Sequence, residues 1–322
     1  SMRVGISPAL FVATFLPLYA HFFKSLGLTP VIPATPDPQG MESVGAPFCY
    51  PVVQSHGYLK TLLDQDVDYI FLPHVRNISL APLKGGSCTC PFVQGEPNIL
   101  DAAFHDGLHH RVLAPTLDFS DLKSLQNAFV RVGVRAGRPE SMARLAFIEA
   151  WEEFSSLIRT MQEEGKRFIE GLQDDETALV IFGRPYNAFS RHGNLGIPHK
   201  FASRGYKVIP HDFLPNEDSS DPFLDRMYWS AGRSILSSAR LVAEHPSLFG
   251  VYITNFSCGP DSFLVGTFRD RMGGKPSLTL ELDAHSADAG IDTRIEAFLD
   301  VVRGYRGGDI PVARPLKRVA RT

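Results

Sequence analysis

The chain has 322 residues, 44% of them hydrophobic and 21% charged, which is room for about two domains at ~150 residues each. A net charge of −3 and a pI near 6.4 offer no attraction to nucleic acid or an anionic membrane. No apolar run reaches the ~18–20 residues of a membrane span. Four cysteines in so long a chain are metal ligands or catalytic groups more readily than disulfide staples. Ser1 before Met2 reads as an addition ahead of a native start with no signal peptide, so the location expected is cytoplasmic.

In chain order, Arg3 to Ile6 reads as a buried strand, Ser7 as an N-cap with Pro8 at the first helical position, and Ala9 to about Leu26 as a helix ended by Gly27. Thr29 to Ala34 is the next strand. No GxGxxG lies in the first turn, so a dinucleotide is not indicated. Turn formers fill 36–47, Cys49 follows, and a helix runs from Pro51 or Val52 to Leu63. Asp68 to Pro73 is a strong strand signal. A loop from His74 to Pro91 carries Cys88 and Cys90, then come a helix near Glu96 to His105 and a strand near Val112 to Leu117.

Ser120 caps a helix through about Arg135. A longer one runs from Pro139 to about Leu172, with Leu145, Ile148, Trp151, Phe154, Leu157 and Ile158 at helical spacing as its core face. A second unit of the same plan follows: strands at Thr177 to Phe182, Lys207 to Pro210, Phe249 to Ile253 and Ser277 to Leu282, and helices at Ile197 to Ser203, Asp225 to Ala243 and Thr293 to Val302. The division is an N-terminal α/β domain over 2–137, a bridging helix over 138–175, a C-terminal α/β domain over 176–306 and a basic tail or linker over 307–322. Alternating strands and helices imply parallel sheets.

Cys49, Cys88, Cys90 and Cys258 all fall near the ends of predicted strands, the functional edge of open α/β sheets. Folding the halves face to face would bring the thiols together. Pro91 and Gly259-Pro260 suit loops that wrap sulfur. Thiolates select zinc or iron–sulfur clusters, and zinc sites usually show paired C-x₂₋₄-C knuckles. One C-x-C and two lone cysteines favour iron–sulfur. His56, seven residues past Cys49, is a candidate donor beside the site. Glu281, Asp283, His285 and Asp288 form a polar run after a strand, with His285 or Glu281 as an acid. Arg184, Tyr186 and Asn187 are read as cleft-lining or anion-binding, with Asn187 alternatively a turn stabiliser. His192, His199 and His211 read as ordinary surface or core histidines.

The stretches RVGISPALF, FCYPVVQSHGYL, VDYIFLPHV, CPFVQ, FGRPYN, NFSCGPDSF and LELDAHSADAGIDTRIEAFLD run the chain's length in family order. By them the chain resembles the cluster-bearing subunits of 2-hydroxyacyl-CoA dehydratases and benzoyl-CoA reductases, and more closely the related region of large CoA-enzyme activase fusion proteins. The resemblance implies two Rossmann-like domains with a cluster in the cleft between them, held by Cys49, Cys90 and Cys258. It implies a [4Fe-4S] cluster, with an [8Fe-9S] double cubane as alternative, fed by an ATP-hydrolysing activase in trans or fused. The function that follows is reduction or activation of a small substrate, an acyl-CoA among the candidates, in an anaerobic cytoplasm and with a homodimer among the assemblies considered. Cys88 departs from the pattern: as a fourth ligand it would close the cluster and favour a non-catalytic electron relay or redox sensor. A zinc-stabilised binding protein is the remaining alternative.

Overall fold

The computed structural model describes residues 1–46, 48–78, 87–108, 111–215, 224, 227–283 and 288–309. The chain divides into two compact units, Ser1–Met161 with Asp225–Ser230, and Gln162–Leu224 with Ala231–Thr322. Each is an α/β unit built on a parallel, Rossmann-like sheet.

The first unit's main sheet has strand order β2-β1-β3-β5, from Arg3–Ile6 (β1), Thr29–Val31 (β2), Tyr69–Phe71 (β3) and Val112–Leu113 (β5). A separate two-stranded sheet pairs His74–Asn77 (β4) with Thr116–Asp118 (β6), also in parallel. The single strand expected over 112–117 therefore becomes two, that over 68–73 shortens to β3, and His74–Asn77, expected as loop, is a strand. Both breaks fall beside a proline, Pro73 and Pro115, which lacks the amide a ladder needs. Pairing still carries across the step: the Leu72 amide donates to Leu113 O at 3.0 Å and the His74 amide to Pro115 O at 2.9 Å.

Helices Val12–Ser25 (α1), Pro38–Glu42 (α2), Tyr50–Leu63 (α3), Pro91–Leu108 (α4) and Leu122–Arg135 (α5) surround these strands. Ser7 does not cap α1, which begins at Val12 behind Phe11; Ser7 is instead fully buried. Asp121, rather than Ser120, caps α5, accepting from the Ser124 amide at 3.0 Å. The core is aromatic: Phe15 stacks on Phe119 at 3.8 Å, and Tyr19, Phe22, Phe23, Phe71 and Phe129 pack edge to face around them.

The long helix is Glu140–Glu170 (α6). Its buried face is Ala143, Ala146, Phe147, Ala150 and Phe154, whereas Leu145, Ile148 and Leu157, expected in the core, are exposed. The small residues win that face because α5 approaches closely: a Cβ on Gly133 would collide with Ala143.

The second unit has strand order β10-β9-β7-β8, all parallel, from Ala178–Phe182 (β7), Lys207–Pro210 (β8), Leu248–Asn255 (β9) and Ser277–Leu282 (β10). Helices Pro185–Ala188 (α7), Ile197–Ala202 (α8), Ser230–Glu244 (α9), Gly259–Met272 (α10) and Asp288–Gly307 (α11) complete it. The last starts earlier than expected, so Thr293 is not its cap; the Thr293 hydroxyl donates to Ala289 O inside the helix. β9 is buried along its whole length between β7 and β10. Leu179, Ile181, Phe201, Phe249, Val251, Ile253, Leu280 and Ile295 form the core beneath α8 and α11. The tail beyond 309 lies outside the described residues. Among the described residues no helix is long and apolar enough to cross a membrane.

Candidate functional site

Three of the four cysteines share one local geometry. Cys49 is the N-cap of α3, in extended backbone, with Pro51 in the first turn and its carbonyl accepting from the Val52 and Val53 amides at 2.9 and 3.3 Å. Cys90 holds the same place before α4, where Pro91 is the first helical residue and the Val93 and Gln94 amides donate to Cys90 O at 3.0 and 3.1 Å. Cys258 is the N-cap of α10, with Pro260 in the first turn, and its Sγ accepts from the Asp261 amide at 3.4 Å. All three are buried and none of the four cysteines is in a disulfide.

N-caps are ordinarily Ser, Thr, Asp or Asn. At Cys258 the sulfur takes the capping role, facing the first-turn amide of Asp261, whereas the Cys49 side chain makes no capping hydrogen bond. Cys258 comes directly off β9, whereas α2 stands between β2 and Cys49. Sequence patterning does not reveal α10: Gly266, Val265 and Thr267 weaken its helical signal, and Phe263 on it is 76% exposed.

Cys88 is different. It lies in extended backbone, bridged to Asn77 on one side and Trp229 on the other. Its amide donates to Tyr228 O at 3.0 Å and its carbonyl accepts from the Ser230 amide at 3.0 Å. The thiol donates to Asn77 Oδ1 at 3.3 Å. A hydrogen bond with Cys88 also raises the Tyr228 phenol above its ordinary range.

His56 is buried on α3, its Nδ1–H donating to Val52 O at 2.8 Å, beside the rings of Phe48 and Phe104. Burial lowers its pKa. Glu281 is exposed on the edge strand β10, opposite Thr254. His285 lies outside the described residues.

The second unit also holds a buried polar network. Arg184 at the end of β7 donates to Asp261 Oδ2 at 3.0 Å and to the Tyr186 hydroxyl at 2.9 Å. Asp261 further accepts from the Tyr252 and Thr254 hydroxyls at 3.0 and 2.5 Å. The guanidinium expected to bind an anion is thus neutralised internally, by a partner on the helix that Cys258 caps. His211 is a core histidine: Nε2–H donates to Gly183 O at 3.0 Å, the ring stacks on Phe182, and burial lowers its pKa to about 4.

In the first unit Glu96, on the helix after Cys90, is buried. Desolvation pushes its pKa up to about 8 despite a hydrogen bond from Ser55, and its proximity helps hold the buried Tyr19 phenol well above the ordinary range. Nothing in the sequence around Glu96 marks it, because its position looks like any polar helix residue.

Among the described residues no three or more His, Cys, Asp and Glu side chains form a group able to hold a metal ion. Cys49 and Cys90 belong to the first unit and Cys258 to the second.

Fold and cysteine placement together define a two-unit α/β protein with thiols at three helix starts. The chain belongs to the family described as CoA enzyme activase uncharacterised domain, whose model matches residues 3–214. That span contains Cys49, Cys88 and Cys90 but stops short of Cys258. No curated protein matches the chain. Among solved structures, the SBP FpvC from Pseudomonas aeruginosa in complex with Mn2+ is 11% identical over 95% of this chain and 99% of that one, with a TM-score of 0.26. The C-terminal domain of glucosamine-fructose-6-phosphate aminotransferase from Francisella tularensis is 9% identical over 98% and 87%, at 0.25. Likeness at this level carries no argument.

Proposed function

We propose that the chain is an iron–sulfur protein of the 2-hydroxyacyl-CoA dehydratase type, taking low-potential electrons from an ATP-hydrolysing activase to reduce or activate a small substrate, with acyl-CoA as the leading class. The observation that carries this is the shared placement of Cys49, Cys90 and Cys258 at helix N-termini. The donor chemistry fits: three buried thiols at helix starts, the Cys258 sulfur bonded by a helix amide, suit a thiolate-ligated cluster better than a zinc knuckle. When bound, such a cluster supplies one-electron chemistry at a potential set by charge, burial and hydrogen bonds to sulfur.

The chain's own residues do the rest. The Asp261 amide donates to Cys258 Sγ. The Arg184–Asp261 pair anchors the first turn of α10 from below. The Cys88 thiol is engaged by Asn77, which favours three ligands and an open iron over a closed relay.

The test is iron and acid-labile sulfide per chain in protein purified without oxygen, with EPR after reduction. About four irons with matching sulfide are expected for a cubane, retained in Cys88→Ser. No iron after reconstitution overturns the proposal, and bound zinc without sulfide points to the zinc-stabilised reading. Iron lost from Cys88→Ser identifies the four-ligand relay.

A further inference from the structure

The order β10-β9-β7-β8 places a topological switch point between β7 and β9, because the chain leaves β7 to one side for β8 and returns to the other for β9. Ligands in open α/β sheets bind at the carboxyl ends of the strands flanking such a point. Here those ends carry Asn187, on α7 just after β7, and Asn255, the last residue of β9.

The two carboxamides are 0% and 1% exposed, and Nδ2 and Oδ1 of both lack any hydrogen-bond partner. The turn does not need Asn187's side chain: its backbone amide donates to Arg184 O at 2.8 Å. Gly183 brings the two elements together. It adopts φ +143°, and a Cβ there would collide with the Ile253 carbonyl and crowd Ala188 of α7. Buried, unpaired amide groups are costly, each on the order of 1–3 kcal/mol, and native proteins pair them with protein, water or ligand.

We propose that this switch point binds an amide-bearing small molecule, held by the carboxamides of Asn187 and Asn255. Each side chain offers donors and an acceptor together, the complement of an amide group. The neighbouring charges cancel in the Arg184–Asp261 pair, so the site favours a neutral ligand over an anion. The inference stands on the second unit alone and does not depend on the cluster.

The experiment follows the side-chain NH₂ resonances of Asn187 and Asn255 in the ¹⁵N-labelled full chain, assigned through Asn187→Leu and Asn255→Leu. N-methylacetamide is titrated against acetate and inorganic phosphate. The expected result is a saturable shift of both resonances with N-methylacetamide and none with either anion. Asn187→Leu should weaken the response of Asn255 at least tenfold in a chain that still unfolds cooperatively. Lack of saturation, a stronger response to an anion, or a crystal structure in which ordered water alone satisfies both groups overturns the proposal. If neither Leu variant folds, the comparison of amide with anion on the unsubstituted chain still decides.

Discussion

At the scale of single residues, Glu96 is the group whose burial has the clearest consequence. Its carboxyl is raised from 4.5 to about 8 in the folded chain, so the folded state binds the extra proton between those values. Stability is therefore fully present below pH 4.5 and is lost as pH rises through 8. The loss is on the order of 5 kcal/mol. His211, lowered to about 4, slopes the other way at acid pH, and Asp212, raised to about 7, adds to the Glu96 trend. Comparing the chain with Glu96→Gln isolates the one group. Urea unfolding at pH 5 and pH 8.5 should show a smaller fall for the variant; equal falls would mean that Glu96 is ionised in the fold.

At the scale of elements, the three helices that begin at cysteines let folding be tested apart from the proposed ligation. Serine is a better N-cap than cysteine, so Cys258→Ser should melt within a few degrees of the unsubstituted chain, or above it, while losing its iron. A melting temperature that falls sharply in the metal-free protein would show that sulfur serves packing instead. Much of this level was legible in advance. β8 and β10 fall at their expected bounds, because each is a short β-rich run between turn formers. The shared place of Cys49, Cys90 and Cys258 at helix starts was not legible, since α10 carries little amphipathic pattern. β4 was missed because His74, Arg76 and Asn77 give it no apolar run and Pro73 reads as the end of the strand before it. Asn255, Asp261 and Glu96 were invisible as site residues because burial by distant strands and helices, not local pattern, gives each its character.

At the scale of the whole molecule, the matched family span and the fold do not share a boundary. The match ends at 214, after β8 but before β9, the strand that β7 and β10 both pair with. A fragment ending there keeps β7 and β8 but loses their link to the rest of the second sheet. It should unfold in a broad, non-cooperative transition or aggregate, whereas the full chain unfolds cooperatively by circular dichroism. A sharp, reversible transition in the fragment would show that the first unit suffices alone.

The pairing of Cys88 with the 228–230 segment bears on synthesis. The partners stand 142 positions apart, and all of β7, α7, α8 and β8 is translated between them. A nascent chain emerging N-terminus first exposes the Cys88 edge until Ser230 clears the ribosome. Any factor that loads or protects the Cys88 thiol thus has a window during translation that closes once the 228–230 segment pairs with it.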